Sequence, residues 1–446
     1  MLKKLTYSLG ALASSLSYQV FATYIIFFYV DVMRLPVYMA GSAMFIYGLW
    51  NAINDPLAGF LSDSTHSRFG RRVPYILLGA IPLGMAFAFL WRAPFFGLDE
   101  PYFLFLYFIA LICLFDAFYT IVVLNWSALF PEMFGGLKER SSVNVFRQGF
   151  ALLGLLFGLA VPPQLFIRFG WGNMGIIFGA IVALLWLITL LGCKEKKEFS
   201  REPSLPLLAA LKTTLVDRSF LAYVSADLLI SFGFITLIAS IPFYVKYVLE
   251  KSPQEVTLLF ALAFFVAFPM LFVWRAVLVK KGAKRTMMLA AGAMALSLAP
   301  LLFSTVANVI MLVAALFGAS LAGYLLVSDV VLSDVIDEDE VKTGHRREGT
   351  FFGIRAFINR FAIVIQSFTI SSVFMLCGYN PYVFTQPRSF YGGIFALIAV
   401  IPMVAFGLAF AIINLYPLAG GKIQEVRAKL TALHLKKGVT FPPSSR

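Results

Sequence analysis

The sequence predicts an all-α membrane protein of twelve transmembrane helices arranged as two six-helix bundles. Three observations predict it. Of the 446 residues 60% are hydrophobic and only 13% are charged, whereas a water-covered surface calls for roughly 25% charged residues. About a dozen apolar stretches are each long enough to cross the roughly 30 Å of hydrocarbon in a bilayer. Lysine and arginine gather in every second connector between those stretches. With a mean hydropathy of +0.85, the composition argues against a soluble enzyme, a disordered chain and a nucleic-acid-binding module. The net charge of +13 lies between apolar runs and not along one face, so its expected partner is anionic membrane lipid.

The spans fall approximately at 5–30, 37–61, 74–92, 101–130, 142–163, 173–193, 218–247, 255–279, 286–305, 308–334, 350–377 and 389–415. The first follows Lys3 and Lys4 and has no small-residue cleavage site, so it reads as a helix and not as a signal peptide. Basic residues lie before span 1, between spans 2 and 3 (Arg68, Arg71, Arg72), between 4 and 5 (Lys138, Arg140) and through 194–217. The second half repeats the pattern with Lys280 to Arg285, then Lys342, Arg346 and Arg347, then the tail. The remaining connectors hold only Arg34, Arg92, Arg168, Lys246, Lys251 and Arg388. This bias of roughly four to one places both termini in the cytoplasm of a cell-membrane protein.

The polar connector at 194–217 divides the chain into bundles at 1–193 and 218–415, with a tail at 416–446. The short basic connectors SRFGRR and KKGAKR hold corresponding places in the two halves, as in a two-fold repeated transporter that binds substrate near the midplane. In the tail, Ile423, Val426, Leu430 and Leu433 repeat at helical spacing among basic residues, which predicts an amphipathic helix on the membrane surface. Cys113, Cys193 and Cys377 are far apart, and His66, His345 and His434 form no ligand spacing, so no metal site or cofactor is expected. No HExxH, GxSxG or CxxC pattern supports the rival class of a membrane-embedded enzyme.

The strongest local signal follows span 2: Asn54-Asp55-Pro56, Gly59, Ser62-Asp63, then Gly70-Arg71-Arg72 and Pro74. Gly70 suits the bend between two helices and Pro74 the first turn of the next. Asp63 is placed to accept from a helix N-terminus or to pair with an arginine. Such a latch favours one conformer of a moving protein. Together with Leu5-Thr6-Tyr7, Trp126-Ser127, Pro131-Glu132, Asp334 to Glu340, Arg347-Glu348-Gly349 and Phe351 to Arg360, this stretch resembles the glycoside-pentoside-hexuronide:cation symporters of the major facilitator superfamily. The lysophospholipid symporters are more distant kin. The resemblance spans essentially the whole chain and implies a secondary transporter of a sugar or glycoside.

Ionisable residues at membrane depth are costly and point to a pathway or to pairs between helices. In the resembling symporters two aspartates on helix 2 share a cation with one on helix 4. Here the first is Asn51, the second Asp55, and the helix 4 position is Val122 or Val123. Asp116, two turns outward, offers a replacement, so Asn51, Asp55 and Asp116 form the candidate site for a coupling ion, H⁺ or Na⁺. The resemblance further implies that Arg147 with Trp126, and Arg360 with Asn359 beside it, contact substrate. The alternative for Arg147 is a pair with Asp55 or Asp116. Arg355 is read as structural, a partner for Asp329 or for Asp334, which is counted with the latch of Asp63, Gly70, Arg71 and Arg72. The family's Lys-Asp pair on helix 1 is replaced by Ser14-Ser15, so a net positive cavity favours an anionic cargo such as a hexuronide. An anionic lipid headgroup is the alternative. Asp227 is left between a cavity group and an interhelix pair. A monomer is expected.

Overall fold

The computed structural model describes residues 2–65, 70–93, 101–134, 136–195, 214–251, 253–303, 306–379 and 386–436. Most of the connector at 194–217, His66 and Arg68 of the motif after span 2, and the tail beyond 436 lie outside the described residues. The described chain is helical: α1 Leu2–Phe27, α2 Val37–Ser64, α3 Val73–Leu90, α4 Pro101–Met133, α5 Leu137–Phe169 and α6 Trp171–Gly192. These are followed by α7 Arg218–Phe243, α8 Pro253–Leu298, α9 Ala307–Thr343 and α10 Glu348–Leu376. A short α11 Arg388–Phe395 continues through a wider turn into α12 Ile401–Asn414, and α13 Gly421–Lys436 forms the tail.

Ten of the described helices are long and apolar enough to cross a membrane. The sequence predicts twelve, and two elements account for the difference. The helix α2 carries Asn51, Asn54 and Asp55 and is not one of the ten. The helix α8 counts once, although Gly282, at φ 80° and ψ 170°, divides it inside the predicted basic connector. A side chain at that φ would be strained, so the glycine permits the break.

Two compact units are present. The first contains described residues of Met1–Leu211, Asp339–Phe357 and Leu430–Arg446; the second contains those of Lys212–Glu338 and Ile358–Lys429. The boundaries at 193 and 218 read from the connector thus do not coincide with the packing, because the end of α9 and the start of α10 are held by partners on the first helices. Within the first unit α1 packs on α5 and α6, α3 on α4 and α6, and α2 on α4. Tyr7, Phe87, Phe108 and Trp186 are fully buried among them. Within the second unit α12 packs on α7 and α8. On α3, Leu77, Leu78, Ile81, Met85 and Phe89 are exposed, an apolar outer stripe that lipid covers and water would not.

The tail differs from the expectation of a helix lying on the membrane surface. Val426, Leu430 and His434, spaced by four residues, are buried, and the helix meets the acidic end of α9. Arg427 pairs with Asp334 at 3.2 Å and Lys422 with Glu338 at 3.6 Å, while His434 Nε2 lies 2.9 Å from Glu340. Opposite charge on α9 gives the basic tail a nearer partner than lipid. Asp334, expected with the latch, is therefore committed to Arg427 in the second unit.

Candidate functional site

Among the described residues of the first unit, three polar clusters stand out. The first joins α2 to α4. Helical spacing puts Asn51, Asn54 and Asp55 on one face of α2, and Asp116 and Thr120 on one face of α4. Asn51 Nδ2 donates to Asp116 Oδ1 at 2.9 Å, and Asn54 Nδ2 to Asp116 Oδ2 at 3.1 Å. Thr120 Oγ1 donates to Asp55 Oδ1 at 2.9 Å. Asp55 and Asp116 are both buried, 4% and 3% exposed. Asn51 Nδ2 also reaches the Tyr47 hydroxyl at 3.0 Å, while Asn51 Oδ1 is buried with no hydrogen-bond partner. The structure thus brings the three proposed coupling residues together. It adds Asn54 and Thr120, which the i+3 and i+4 offsets from Asn51 and Asp116 would have found. Among the described residues no group of three His, Cys, Asp or Glu is arranged to hold a metal ion.

The second cluster surrounds Arg147 on α5. Its Nη1 donates to Asn144 Oδ1 at 3.3 Å, and its guanidinium carbon lies 4.5 Å from the Trp126 ring centroid and 4.6 Å from that of Phe130. A cation over an aromatic face is held by the ring quadrupole. Trp126 is itself fixed, because its indole N–H donates to the Tyr7 carbonyl and the Tyr7 hydroxyl donates back to the Trp126 carbonyl, both at 2.9 Å. The Trp126 ring, which the resemblance implies contacts substrate, is 3% exposed and serves here as a platform for Arg147.

The third cluster surrounds Asp63, where the sequence suggests a latch. Asp63 Oδ1 accepts from Arg72 Nη2 at 2.7 Å and from the Gly349 amide at 3.2 Å, and Oδ2 accepts from the Thr350 amide and hydroxyl at 2.7 and 2.8 Å. The carboxylate therefore caps the N-terminus of α10, satisfying two of its open donors and meeting the positive end of the helix dipole. The approach is possible because Gly59 and Gly349 face each other. A Cβ on Gly59 would fall 2.4 Å from the Gly349 carbonyl oxygen, and one on Gly349 would fall 2.7 Å from that of Gly59. Arg71 and Arg72 both reach Glu348 Oε2, at 2.8 and 2.9 Å, and both lie 3.6 Å from Glu132. Arg346 joins Glu348 to Glu340 and donates to the Pro131 carbonyl at 2.9 Å.

Glu195, which the sequence presents as one charge in a polar connector, caps α3. It accepts from the amides of Arg71 at 2.7 Å, Arg72 at 3.0 Å and Val73 at 3.3 Å. Gly70, at φ 102°, provides the turn, and a Cβ there would collide with Glu195. Burial opposes the charge on Arg71, but Glu348, Glu132, Asp63 and Glu195 hold its pKa above the ordinary arginine value. Arg346 and Arg347, which the sequence presents as markers of orientation, are buried and act as ion-pair partners, as are Arg71 and Arg72, which the sequence places both in a basic connector and with the latch. In the second unit, Asp227 on α7 accepts from Tyr324 at 2.8 Å, Ser328 at 2.7 Å and Asn359 at 2.7 Å. It is a polar node between α7, α9 and α10. Arg360, the next residue, is half-buried.

Two measurements check this account. Asp63→Asn removes the charge that pairs with Arg72, and breaking a buried pair costs about 3–5 kcal/mol; the purified protein should melt at a clearly lower temperature in detergent, and an unchanged melting point would refute the latch. Burial, with Glu195 nearby, pushes the Cys193 thiol up to about 12. In a protein lacking the other two cysteines, maleimide labelling of Cys193 should therefore rise about tenfold per pH unit past pH 9, where an ordinary thiol levels off.

Comparison with known proteins agrees with this architecture. The family described as MFS/sugar transport protein matches residues 6–420. An uncharacterized symporter of Synechocystis is 27% identical, with 96% of each chain covered. The mouse sodium-dependent lysophosphatidylcholine symporter 1 is 23% identical over 96% of this chain and 88% of its own. An isoprimeverose transporter of Lactiplantibacillus pentosus is 23% identical over 96% and 90%. Among solved structures, the proton:xylose symporter XylE superposes with a TM-score of 0.69 at 16% identity, covering 96% of this chain and 98% of its own, a likeness of fold. The match over residues 6–420 and the buried polar clusters on membrane-crossing helices lead to one conclusion: this integral membrane protein belongs to the MFS/sugar transport protein family.

Proposed function

We propose that the protein is a cation-coupled secondary transporter that moves a sugar or an anionic glycoside by alternating access, with H⁺ or Na⁺ as the coupling ion. The observation that carries this reading is the α2–α4 cluster, in which Asn51 and Asn54 donate to the buried Asp116 and Thr120 donates to the buried Asp55. Buried carboxylates are costly in a membrane and are retained where a cation or proton compensates them. When Asp116 is ionised, Asn51 donates to it. When Asp116 takes a proton it becomes a donor, and the unpartnered Asn51 Oδ1 is the acceptor that a flipped amide would offer. A sodium ion would instead draw on Asp55, Asp116, Asn51 Oδ1 and the Thr120 hydroxyl, the oxygen ligands a hard cation prefers.

Substrate contact is assigned to Arg147 with its Trp126 platform, and to Arg360 and Asn359. A guanidinium suits a carboxylate or vicinal hydroxyls. The cluster of Asp63, Arg71, Arg72 and Glu348 holds one conformer and releases in the other. A cell-membrane location, cytoplasmic termini, contact with anionic lipid and a monomeric state complete the proposal. A second reading, a lysophospholipid cargo, is favoured by one observation. The second unit contains an apolar cavity of about 70 Å³ lined by residues such as Phe234, Phe260, Phe264, Leu301 and Phe317, a lining compatible with the end of an acyl chain.

The test is uptake by proteoliposomes of p-nitrophenyl β-D-glucuronide, the uncharged glucoside and lysophosphatidylcholine, each with and without a Na⁺ or proton gradient. Gradient-driven glucuronide or glucoside uptake is expected, and Asp116→Asn should abolish its dependence on the gradient. Full, gradient-dependent uptake by Asp116→Asn would remove the assigned coupling site. Uptake of the lipid alone would replace the sugar reading.

A further inference from the structure

Asp227 and Asn359 form a pair whose chemistry goes further than an interhelix contact. A carboxylate has only acceptors, so the Asn359 group at 2.7 Å from Asp227 Oδ2 is necessarily the NH₂ end of the amide. The amide oxygen then points away from Asp227. That oxygen is buried and has no hydrogen-bond partner. Asp227 itself is 0% exposed and cannot easily turn. Its other oxygen is held by the Tyr324 hydroxyl and the Ser328 hydroxyl of α9, and Ser328 is in turn 3.0 Å from the Tyr223 hydroxyl of α7.

From this geometry we infer that Asp227 is a positioning residue for substrate specificity: it orients Asn359 so that Oδ1 accepts a hydrogen bond from one hydroxyl of a sugar. The inference rests on the sugar-transport reading above. Three features support it. An acceptor buried without a partner costs free energy unless a ligand donates to it. Asn359 is half-buried, so its side chain stands at the edge of the packed core and not inside it. Arg360 follows directly and is also half-buried; at about 100° per residue the two side chains border adjoining sectors of α10. Arginine only donates and Asn359 Oδ1 only accepts, while a sugar hydroxyl does both. The two are therefore complementary to neighbouring hydroxyls of one ring.

Removing the charge from Asp227 would free the amide to present either end, and discrimination for the donating hydroxyl would be lost. The test uses the full chain in proteoliposomes with p-nitrophenyl β-D-glucoside, p-nitrophenyl β-D-glucuronide and the mono-deoxy forms of each. In the wild type one deoxy form should show a KM at least roughly tenfold above its parent, as a site built for a hydroxyl rejects the analogue lacking it. In Asp227→Asn and in Asn359→Leu that ratio should fall to within about twofold, through a higher KM for the parent while the deoxy form is taken up as before. Asp227→Glu, which keeps the acceptor charge, should retain part of the ratio. If parent and deoxy form decline by the same factor in the variants, the pair is structural and the inference fails while the sugar reading stands. If the wild type takes up none of these glycosides above empty vesicles, both readings fall together. Should Asp227→Asn not fold, Asn359→Leu decides alone: an unchanged ratio overturns the proposal.

Discussion

Charge buried in a chain with too little polar surface must be answered by opposite charge or by backbone donors, and the first unit is organised around that constraint. Asp63 receives two amides of α10 and the guanidinium of Arg72, and Glu195 receives three amides around the start of α3. Each acid closes a helix end that would otherwise leave polar groups bare beside apolar helices. The arginines are in turn shared with Glu132 and Glu348, so no member can leave without stranding another in low dielectric. A network of this kind has two states, assembled and released, with little between, which is what a transporter latch requires.

The other two clusters of the first unit are quieter and differ in kind. Around Asp116 and Asp55 the partners include amides and hydroxyls, groups that can exchange donor for acceptor as a proton or ion arrives. Around Arg147 the partners include the Trp126 and Phe130 rings and the Asn144 amide oxygen, and the ring faces help to hold a permanent positive charge in place. The second unit repeats the first idea at Asp227, where hydroxyls and an amide hold a single carboxylate.

Much of the fold was legible in order and extent. The span read at 37–61 is Val37–Ser64, that at 218–247 begins at Arg218, and the break between spans 8 and 9 falls at Gly282 in the basic connector. Hydrocarbon thickness and charge placement act on every segment separately, so they can be read without knowing its neighbours. Of the α2–α4 cluster, Asp55 and Asp116 stand out in the sequence because charge at depth is costly, and Asn51 because the resemblance sets it where those symporters carry an aspartate. Glu195 and His434 were not. Each is an ordinary polar residue in its own stretch, and its role depends on a partner about 120 residues away for Glu195 and 94 away for His434.

The sequence alone determined that the chain crosses a membrane repeatedly, which residues sit at depth, and the family resemblance that gave them candidate roles. Tertiary structure decided which charges meet. It turned Arg346 and Arg347 from markers of orientation into buried partners, gave Arg71 and Arg72 their acids, tied Asp334 to the tail, covered Trp126 with Arg147 and gave Asp227 its neighbours. The physical reason is range. Hydropathy and helix spacing are properties of a segment, whereas an ion pair or a capped helix end exists only where two distant segments come within about 3 Å.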